Sequence, residues 1–97
     1  MERTVTPKEL KHLANPVIID VRREADFTAE PGMIDGAIRR LPAEVSSWAN
    51  ELPKDRDVVI YCVRGGSVSN SVLDVLLDKG VNARFIEGGI EAWKKDR

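Results

Sequence analysis

Residues 58–67 read VVIYCVRGGS, an apolar run followed by a cysteine and a glycine pair. A short continuous apolar run is typical of a strand buried on both faces of a parallel sheet, so we expect a strand over Val58 to Tyr61. Beyond the glycines, apolar residues recur at helical spacing until Gly80 supplies a stop signal. They are Val68, Val72, Leu73, Leu76 and Leu77. The sequence therefore predicts a strand, a loop and a helix, with Cys62 at the carboxyl end of the strand.

Other segments with strand composition lie on both sides of this unit. They are Val17 to Ile19, which ends at Asp20, a brief Ala37 to Arg39 after the Asp35-Gly36 turn signal, and Ala83 to Ile86. A further turn is expected at Pro31-Gly32. Strands at these intervals leave room for a helix in most connections.

Helix signals fill those connections. A capping box in Thr6-Pro7-Lys8-Glu9 opens a short helix before Asn15-Pro16, and a second helix is expected over Glu24 to Ala29. Residues 41–45 open a third helix, in which Leu41, Val45 and Trp48 share a face. A final helix after Gly88-Gly89 carries Ile90 and Trp93. This alternation predicts one α/β domain over residues 1–97, with a mostly parallel sheet of about four to five strands and helices on both faces.

Composition excludes several classes of function. The chain has 97 residues, with 15 Lys and Arg against 16 Asp and Glu, so its net charge of −1 provides no overall field for nucleic acid or an anionic membrane. A single cysteine, Cys62, excludes an internal disulfide and a Cys-rich zinc site, and it suits a reducing compartment. No apolar run approaches the roughly 20 residues that span a bilayer. We therefore expect a cytoplasmic protein.

The loop after Cys62 has the composition of an anion cradle. It runs from the end of a strand to the start of a helix, so its backbone amides and Arg64 would favour a thiolate over a thiol. Gly65 and Gly66 suit a tight loop, and Ser67 is placed to cap the helix or to donate to a bound oxyanion. The alternative is that Cys62 is a small buried apolar residue, the usual fate of a lone cysteine.

Other polar residues near these elements have structural interpretations. Asp20 and Arg22 are expected to form an ion pair that fixes the end of a strand, and neither is assigned to catalysis. Arg64 is interpreted as a residue that binds an anionic substrate through its planar guanidinium group, with a solvated loop charge as the alternative. Trp48 and Trp93 are expected in the core.

Several motifs follow one another along the chain in a fixed order. Residues 18–22, IIDVR, form a strand with an Asp-x-Arg end, and residues 32–37 form a glycine-bounded turn. Leu52-Pro53 precedes the cysteine strand, and residues 87–93, EGGIEAW, form a terminal Gly-Gly-x-x-Ala-Trp segment. In these motifs and their order the chain resembles the rhodanese-like domain family, and the match extends over nearly the whole chain.

The resemblance implies a sulfurtransferase. Cys62 would take the outer sulfur of a small anionic donor such as thiosulfate and hold it as a persulfide, which a thiol, cyanide or the thiol of a partner protein then collects. The loop amides of Val63, Arg64, Gly65, Gly66, Ser67 and Val68 would bind the anions, with no metal and no organic cofactor. We expect a monomer or weak homodimer that binds neither nucleic acid nor a membrane.

Departures from the family pattern bear on the substrate. Ser67 stands where active relatives often have a basic residue, and Met33 and Asp35 replace the His and Pro of the common turn segment. Val68 occupies the place where related Cys-dependent phosphatases carry an anion-clamping Arg, which argues against a phosphatase. The main alternative to a sulfurtransferase is a non-catalytic module of the same fold that binds a protein.

Overall fold

The computed structural model describes residues 2–96 and contains one parallel sheet of five strands. The strands are β1 (Thr4–Val5), β2 (Val17–Asp20), β3 (Ile38–Arg39), β4 (Val58–Tyr61) and β5 (Ala83–Ile86). Their order across the sheet is β1-β5-β4-β2-β3, so β4 lies at the centre. This is the α/β architecture that the sequence predicts.

Five α-helices connect or follow the strands. They are α1 (Pro7–Lys11), α2 (Glu24–Ala29), α3 (Val45–Trp48), α4 (Ser67–Asp78) and α5 (Gly89–Lys95), and 3-10 turns at Pro42–Glu44 and Ala49–Glu51 flank α3. Within residues 2–96, no helix combines the length and the apolar character that crossing a bilayer requires.

The predicted capping box at the start of α1 is confirmed. The Glu9 amide donates to the Thr6 hydroxyl at 3.1 Å, and the Glu9 carboxylate accepts from the Thr6 amide at 2.8 Å. These two bonds satisfy amides that the first turn of a helix leaves unpaired, and Pro7 has no amide hydrogen to satisfy.

The hydrophobic core has one layer on each side of the sheet. In β4, Val58 and Ile60 face the layer beneath α3 and α4, whereas Val59 and Tyr61 face the layer beneath α1 and α5. All four β4 side chains are buried, as the continuous apolar run predicts for a central strand.

Two details of the predicted secondary structure are wrong. Residues 31–34 run without a regular turn, and the turn falls at Asp35-Gly36, where Gly36 has a φ of 83°. Leu41 precedes the first 3-10 turn and is 41% exposed, so it does not share the buried face of Val45 and Trp48. The helix predicted after Leu41 is present, as one turn of α-helix between two 3-10 turns.

The first strand, β1, has no counterpart in the sequence interpretation. It contains two residues, Thr4 and Val5, too few to show a periodic pattern, and it pairs only with β5 at the edge of the sheet. Val5 is buried by tertiary packing, which the local sequence does not reveal.

Parallel pairing brings the ends of the two central strands to one edge. In the register of β2 and β4, Asp20 lies opposite Tyr61, so the residues that follow each strand emerge side by side. Cys62 therefore lies at the carboxyl edge of the sheet, where ligands bind in open α/β folds.

Candidate active site

Cys62 lies at the base of an open cavity between the end of β4 and the start of α4. The cavity has a volume of about 520 Å³. Its lining residues are Arg23, Asp26, Cys62, Val63, Arg64, Gly66, Ser67 and Val68. Cys62 is 6% exposed, so only a small part of the residue is open to the cavity. Cys62 is therefore nearly buried, and it still contributes to the wall of the cavity.

Ser69 is the direct hydrogen-bonding partner of the sulfur. Its hydroxyl donates to Cys62 Sγ at 3.0 Å, and Ser69 itself is fully buried in the first turn of α4. A hydroxyl in this position can stabilise negative charge that develops on the sulfur during a reaction. The neighbourhood of Cys62 is therefore polar on the helix side rather than uniformly aliphatic.

The turn at Gly88-Gly89 holds the cysteine loop from behind. The Ile90 amide donates to the Cys62 carbonyl at 2.9 Å, and the Glu91 amide donates to the Val63 carbonyl at 3.2 Å. This approach is so close that a Cβ on Gly89 would lie 2.4 Å from the Val63 carbonyl oxygen. Gly89 is thus required by its contact with the active-site loop, whereas a Cβ on Gly88 would lie 2.6 Å from the Cβ atom of Ala92.

Gly65 has a similar structural role within the loop itself. Its φ is 72°, and a Cβ there would lie 3.1 Å from the Gly88 amide nitrogen. Gly65 consequently packs inward on the Gly88 turn and is absent from the cavity wall, unlike its neighbours in the predicted cradle.

The amides of the loop remain available for an anion. Among residues 2–96, the N–H groups from Val63 to Ser69 donate no hydrogen bond to another backbone group, whereas Asn70 already donates to the Gly66 carbonyl. Because α4 is twelve residues long, the dipole of its peptide groups adds to this local positive potential.

The remaining predicted cradle residues have different positions. Val63 and Val68 are half-buried in the wall, and Gly66 is the N-cap of α4. Ser67 is the first helical residue and makes no side-chain capping bond, so its predicted role as the helix cap is wrong. Its side chain is exposed on the cavity wall, where it can still donate to an oxyanion.

Arg64 lies on the rim, with 79% of its side chain exposed. Its Nε atom lies 3.2 Å from a carboxylate oxygen of Glu91 on α5. The structure therefore offers Arg64 a protein partner as well as a place on the cavity wall. An exposed pair of this kind contributes little to stability, because solvent screens both charges.

A buried network beneath the loop fixes the ends of β2 and β4. Arg22 is 1% exposed, and its guanidinium donates to both carboxylate oxygens of Asp20, the shortest contact being 2.6 Å. The Tyr61 hydroxyl donates to the same carboxylate at 3.0 Å. Arg22 also donates to the Glu30 and Gly32 carbonyls, which ties residues 30–32 to the sheet. Asp20 and Arg22 form the structural ion pair that the sequence predicts.

Two pKa values in this network depart from their ordinary values. Burial raises the pKa of Tyr61, and the Asp20 charge adds to that effect against the hydrogen bond from the Ile34 amide. Burial alone would lower the pKa of Arg22, but the hydrogen bond and the charge of Asp20 outweigh it, so the pKa of Arg22 is raised. Tyr61 therefore stays neutral and Arg22 stays charged at neutral pH.

Sequence reasoning missed three residues of the site. Arg23, the N-cap of α2, and Asp26 within α2 both line the cavity, a contact that only the tertiary structure reveals. Ser69 had a readable signal, because a polar residue three, four and seven places before the buried Val72, Leu73 and Leu76 lies on an apolar helix face. Among residues 2–96, no group of three or more His, Cys, Asp and Glu side chains is arranged to hold a metal ion.

The amino-acid sequence of the chain is similar to those of known proteins. The family model described as the rhodanese-like domain matches residues 6–96. A sulfurtransferase of Allochromatium vinosum is 35% identical over 80 residues, which are 81% of this chain and 72% of that protein. A thiosulfate sulfurtransferase of Coxiella burnetii is 31% identical over 87 residues, covering 89% of this chain and 78% of that protein.

The fold is also similar to that of solved structures. A rhodanese-like domain protein from Staphylococcus aureus superposes with a TM-score of 0.81 at 28% identity, covering 96% of this chain and 91% of that one. The relatives support a transferase of the rhodanese type. By the extent of the family match and by its parallel sheet with a cysteine loop at the carboxyl edge, this chain belongs to the rhodanese-like domain family.

Proposed function

We propose that the protein is a sulfurtransferase in which Cys62 carries a sulfane sulfur as a persulfide. The observation that carries this proposal is the position of Cys62. The residue contributes to the wall of an open cavity, its Sγ atom lies 3.0 Å from the Ser69 hydroxyl, and the loop amides that follow it have no backbone acceptor. This arrangement can hold negative charge on sulfur before, during and after transfer.

In the first half-reaction the Cys62 thiolate attacks the outer sulfur of a donor such as thiosulfate. A bond forms between Sγ and that sulfur, the S–S bond of thiosulfate breaks, and its electron pair leaves with sulfite. The product is the persulfide anion of Cys62. The amides of the loop from Val63 to Val68 are the groups that can stabilise both the persulfide and the departing sulfite.

In the second half-reaction an acceptor nucleophile attacks the outer sulfur of the persulfide. Cyanide gives thiocyanate, and a thiolate gives a new persulfide; in both cases the bond to Sγ breaks and the Cys62 thiolate is restored. No external oxidant or reductant is needed, since the sulfane sulfur moves between nucleophiles at a constant oxidation level. Ping-pong kinetics follow from this order of steps.

The charges around the cavity suit an anionic donor only in part. Arg23 and Arg64 contribute two cations to the wall, whereas Asp26 contributes an anion and Glu91 pairs with Arg64. Ser67 adds a neutral hydroxyl donor. We therefore propose thiosulfate as a competent donor with modest affinity, acting in a monomer or weak homodimer in the cytoplasm.

Intact-mass analysis after incubation with thiosulfate tests the proposal. The wild-type protein is expected to gain one sulfur atom that dithiothreitol removes, and Cys62→Ser is expected to gain none. Polysulfide serves as a second donor, so that poor thiosulfate binding is separated from an inert cysteine. If neither donor adds a sulfur to the wild type, or if Cys62→Ser gains it equally, the proposal is wrong and a protein-binding module of the same fold is the better account.

A further inference from the structure

A second, largely apolar groove adjoins the cavity of Cys62. It has a volume of about 340 Å³ and is walled by the 3-10 turn at Pro42–Glu44 together with α3 and α4. Its apolar lining residues are Pro42, Ala43, Val45, Val68, Val72 and Val75. A lining of this kind suits a hydrocarbon substituent, which thiosulfate and cyanide both lack.

The groove shares part of its wall with the cavity that Cys62 lines. Arg23, Ser67 and Val68 line both spaces, so a ligand atom near Cys62 can be joined to a chain that lies in the groove. A site that combines a reacting centre with an adjoining apolar pocket suits a substrate that has a reactive end and an apolar body.

Arg23 supplies a charge at the junction of the two spaces. Its side chain is exposed, and among residues 2–96 it makes neither an ion pair nor a hydrogen bond, in contrast to Arg64, which pairs with Glu91. A guanidinium fork in this position is complementary to a carboxylate attached close to the reacting sulfur.

We infer that the sulfur acceptor is an organic thiol that carries a carboxylate beside its sulfur and an apolar chain beyond it. The thiolate attacks the outer sulfur of the Cys62 persulfide, the bond between Sγ and that sulfur breaks, and the products are an organic persulfide and the Cys62 thiolate. Arg23 binds the carboxylate, and the groove over Ala43 and Val75 takes the chain. This inference rests on the proposed persulfide function.

A chain-length series of 2-mercaptoalkanoates tests the groove. The protein is first loaded with sulfur from polysulfide and checked by intact mass, and its transfer rate is then measured with 2-mercaptopropionate through 2-mercaptohexanoate. Each methylene is expected to raise kcat/KM about threefold, in line with the transfer of a methylene from water to an apolar site. A flat series with a loaded wild-type protein overturns the inference and leaves the persulfide function intact, whereas failure to load overturns the function itself.

A groove-filling variant and its matched control localise the effect. Ala43→Trp fills the groove from an exposed position, and Ala14→Trp adds the same side chain at an exposed residue that lines neither space. The ratio of the rates with 2-mercaptohexanoate and cyanide is expected to fall about thirtyfold in Ala43→Trp, the product of three methylene contributions, and to stay unchanged in Ala14→Trp. Equal ratios in the two variants overturn the inference.

The carboxylate contact has its own readout. The rate ratio between 2-mercaptohexanoate and its uncharged amide is expected to fall about fivefold in Arg23→Gln, the size of an exposed charge pair. Arg40→Gln, an exposed arginine outside both spaces, is expected to leave that ratio unchanged. An unchanged ratio in Arg23→Gln removes the carboxylate from the inferred ligand.

Discussion

The Ser69 hydroxyl donates a hydrogen bond to Cys62 Sγ across 3.0 Å, and neither residue is more than 6% exposed. Because solvent has little access to this pair, the hydroxyl supplies a fixed dipole in the place of water. Ser69 lies in the first turn of α4, so the fold of the helix sets the direction of the donor. It is a positioning residue for the nucleophile.

Ser69→Ala is expected to slow persulfide formation about tenfold at neutral pH, the cost of a hydrogen bond to a charged group. Single-turnover loading from polysulfide, followed by mass spectrometry, measures this rate.

Ser47→Ala is the matched control for that variant. Ser47 is exposed on α3 and lines neither the cavity nor the groove, so its loading rate is expected to equal that of the wild type. A Ser69→Ala protein that loads at the wild-type rate contradicts the positioning role.

Gly89 is the residue that limits how the cysteine loop can be held. Its φ is 66°, and an added Cβ would meet the Val63 carbonyl carbon and oxygen at 2.5 and 2.4 Å. Gly89→Ala is therefore expected to lower the free energy of unfolding by about 3 kcal/mol, which combines left-handed backbone strain with overpacking. Urea denaturation monitored by circular dichroism measures this loss.

Gly32→Ala provides the comparison for Gly89→Ala. No atom lies within 4 Å of a Cβ built on Gly32, and its φ is outside the left-handed region. This variant is expected to unfold within about 0.5 kcal/mol of the wild type. Equal stability of the two variants would show that the loop can move away from Gly89 at no cost.

Most of the sheet can be predicted from the sequence, because its strands are short apolar runs with clear ends. The bounds of β4 and β5 agree with the predicted segments, as do those of α2. The errors fall where tertiary contacts override local pattern. Pro31-Gly32 has turn composition, yet the buried Arg22 side chain takes the Gly32 carbonyl and holds this stretch without a turn.

The sequence predicts the part of the site that is contiguous in the chain, but not the residues that distant segments contribute. Cys62 and its loop follow β4 directly, so their position at the carboxyl edge comes from the strand alone. Arg23 and Asp26 reach the cavity through the docking of α2, and no spacing in the sequence encodes that contact. The position of Ser69 can be predicted, because it is a polar residue on an apolar helix face. Ser67 lies next to the glycines in the sequence, but its side chain makes no capping bond.

Asp20 is expected to be indispensable to stability although it does not reach the cavity. Asp20→Asn leaves the buried Arg22 guanidinium without a counter-charge, and breaking a buried pair in this way costs about 3 to 5 kcal/mol. The free energy of unfolding in urea measures the cost.

Asp74→Asn is the matched surface change. Asp74 pairs with Arg3 at 2.9 Å, but 66% of its side chain is exposed, so the loss is expected to stay below about 1 kcal/mol. If Asp20→Asn proves as stable as Asp74→Asn, the buried pair does not hold the ends of β2 and β4 together.

Tyr61 makes the stability of the protein sensitive to alkaline pH. Burial raises the pKa of Tyr61 in the folded protein above its ordinary value of 10.0, because the neutral phenol is favoured beside Asp20. Above that ordinary value the unfolded chain loses the phenol proton while the folded chain keeps it, so the unfolded state binds fewer protons and stability falls as pH rises. Below it the contribution of Tyr61 is fully present. The decline is expected to begin near pH 10 and to approach about 1.4 kcal/mol per pH unit.

Phenolate absorbance reports this coupling directly, because Tyr61 is the single tyrosine of the chain. In an alkaline titration, phenolate is expected to appear together with the loss of circular dichroism and not before it. Tyr61→Phe lowers stability at neutral pH by removing the hydrogen bond to Asp20, yet its free energy of unfolding is expected to fall less steeply above pH 10 than that of the wild type. Phenolate that forms near pH 10 in a chain with intact circular dichroism would show that the Tyr61 hydroxyl is open to solvent and that the network beneath the loop is loose.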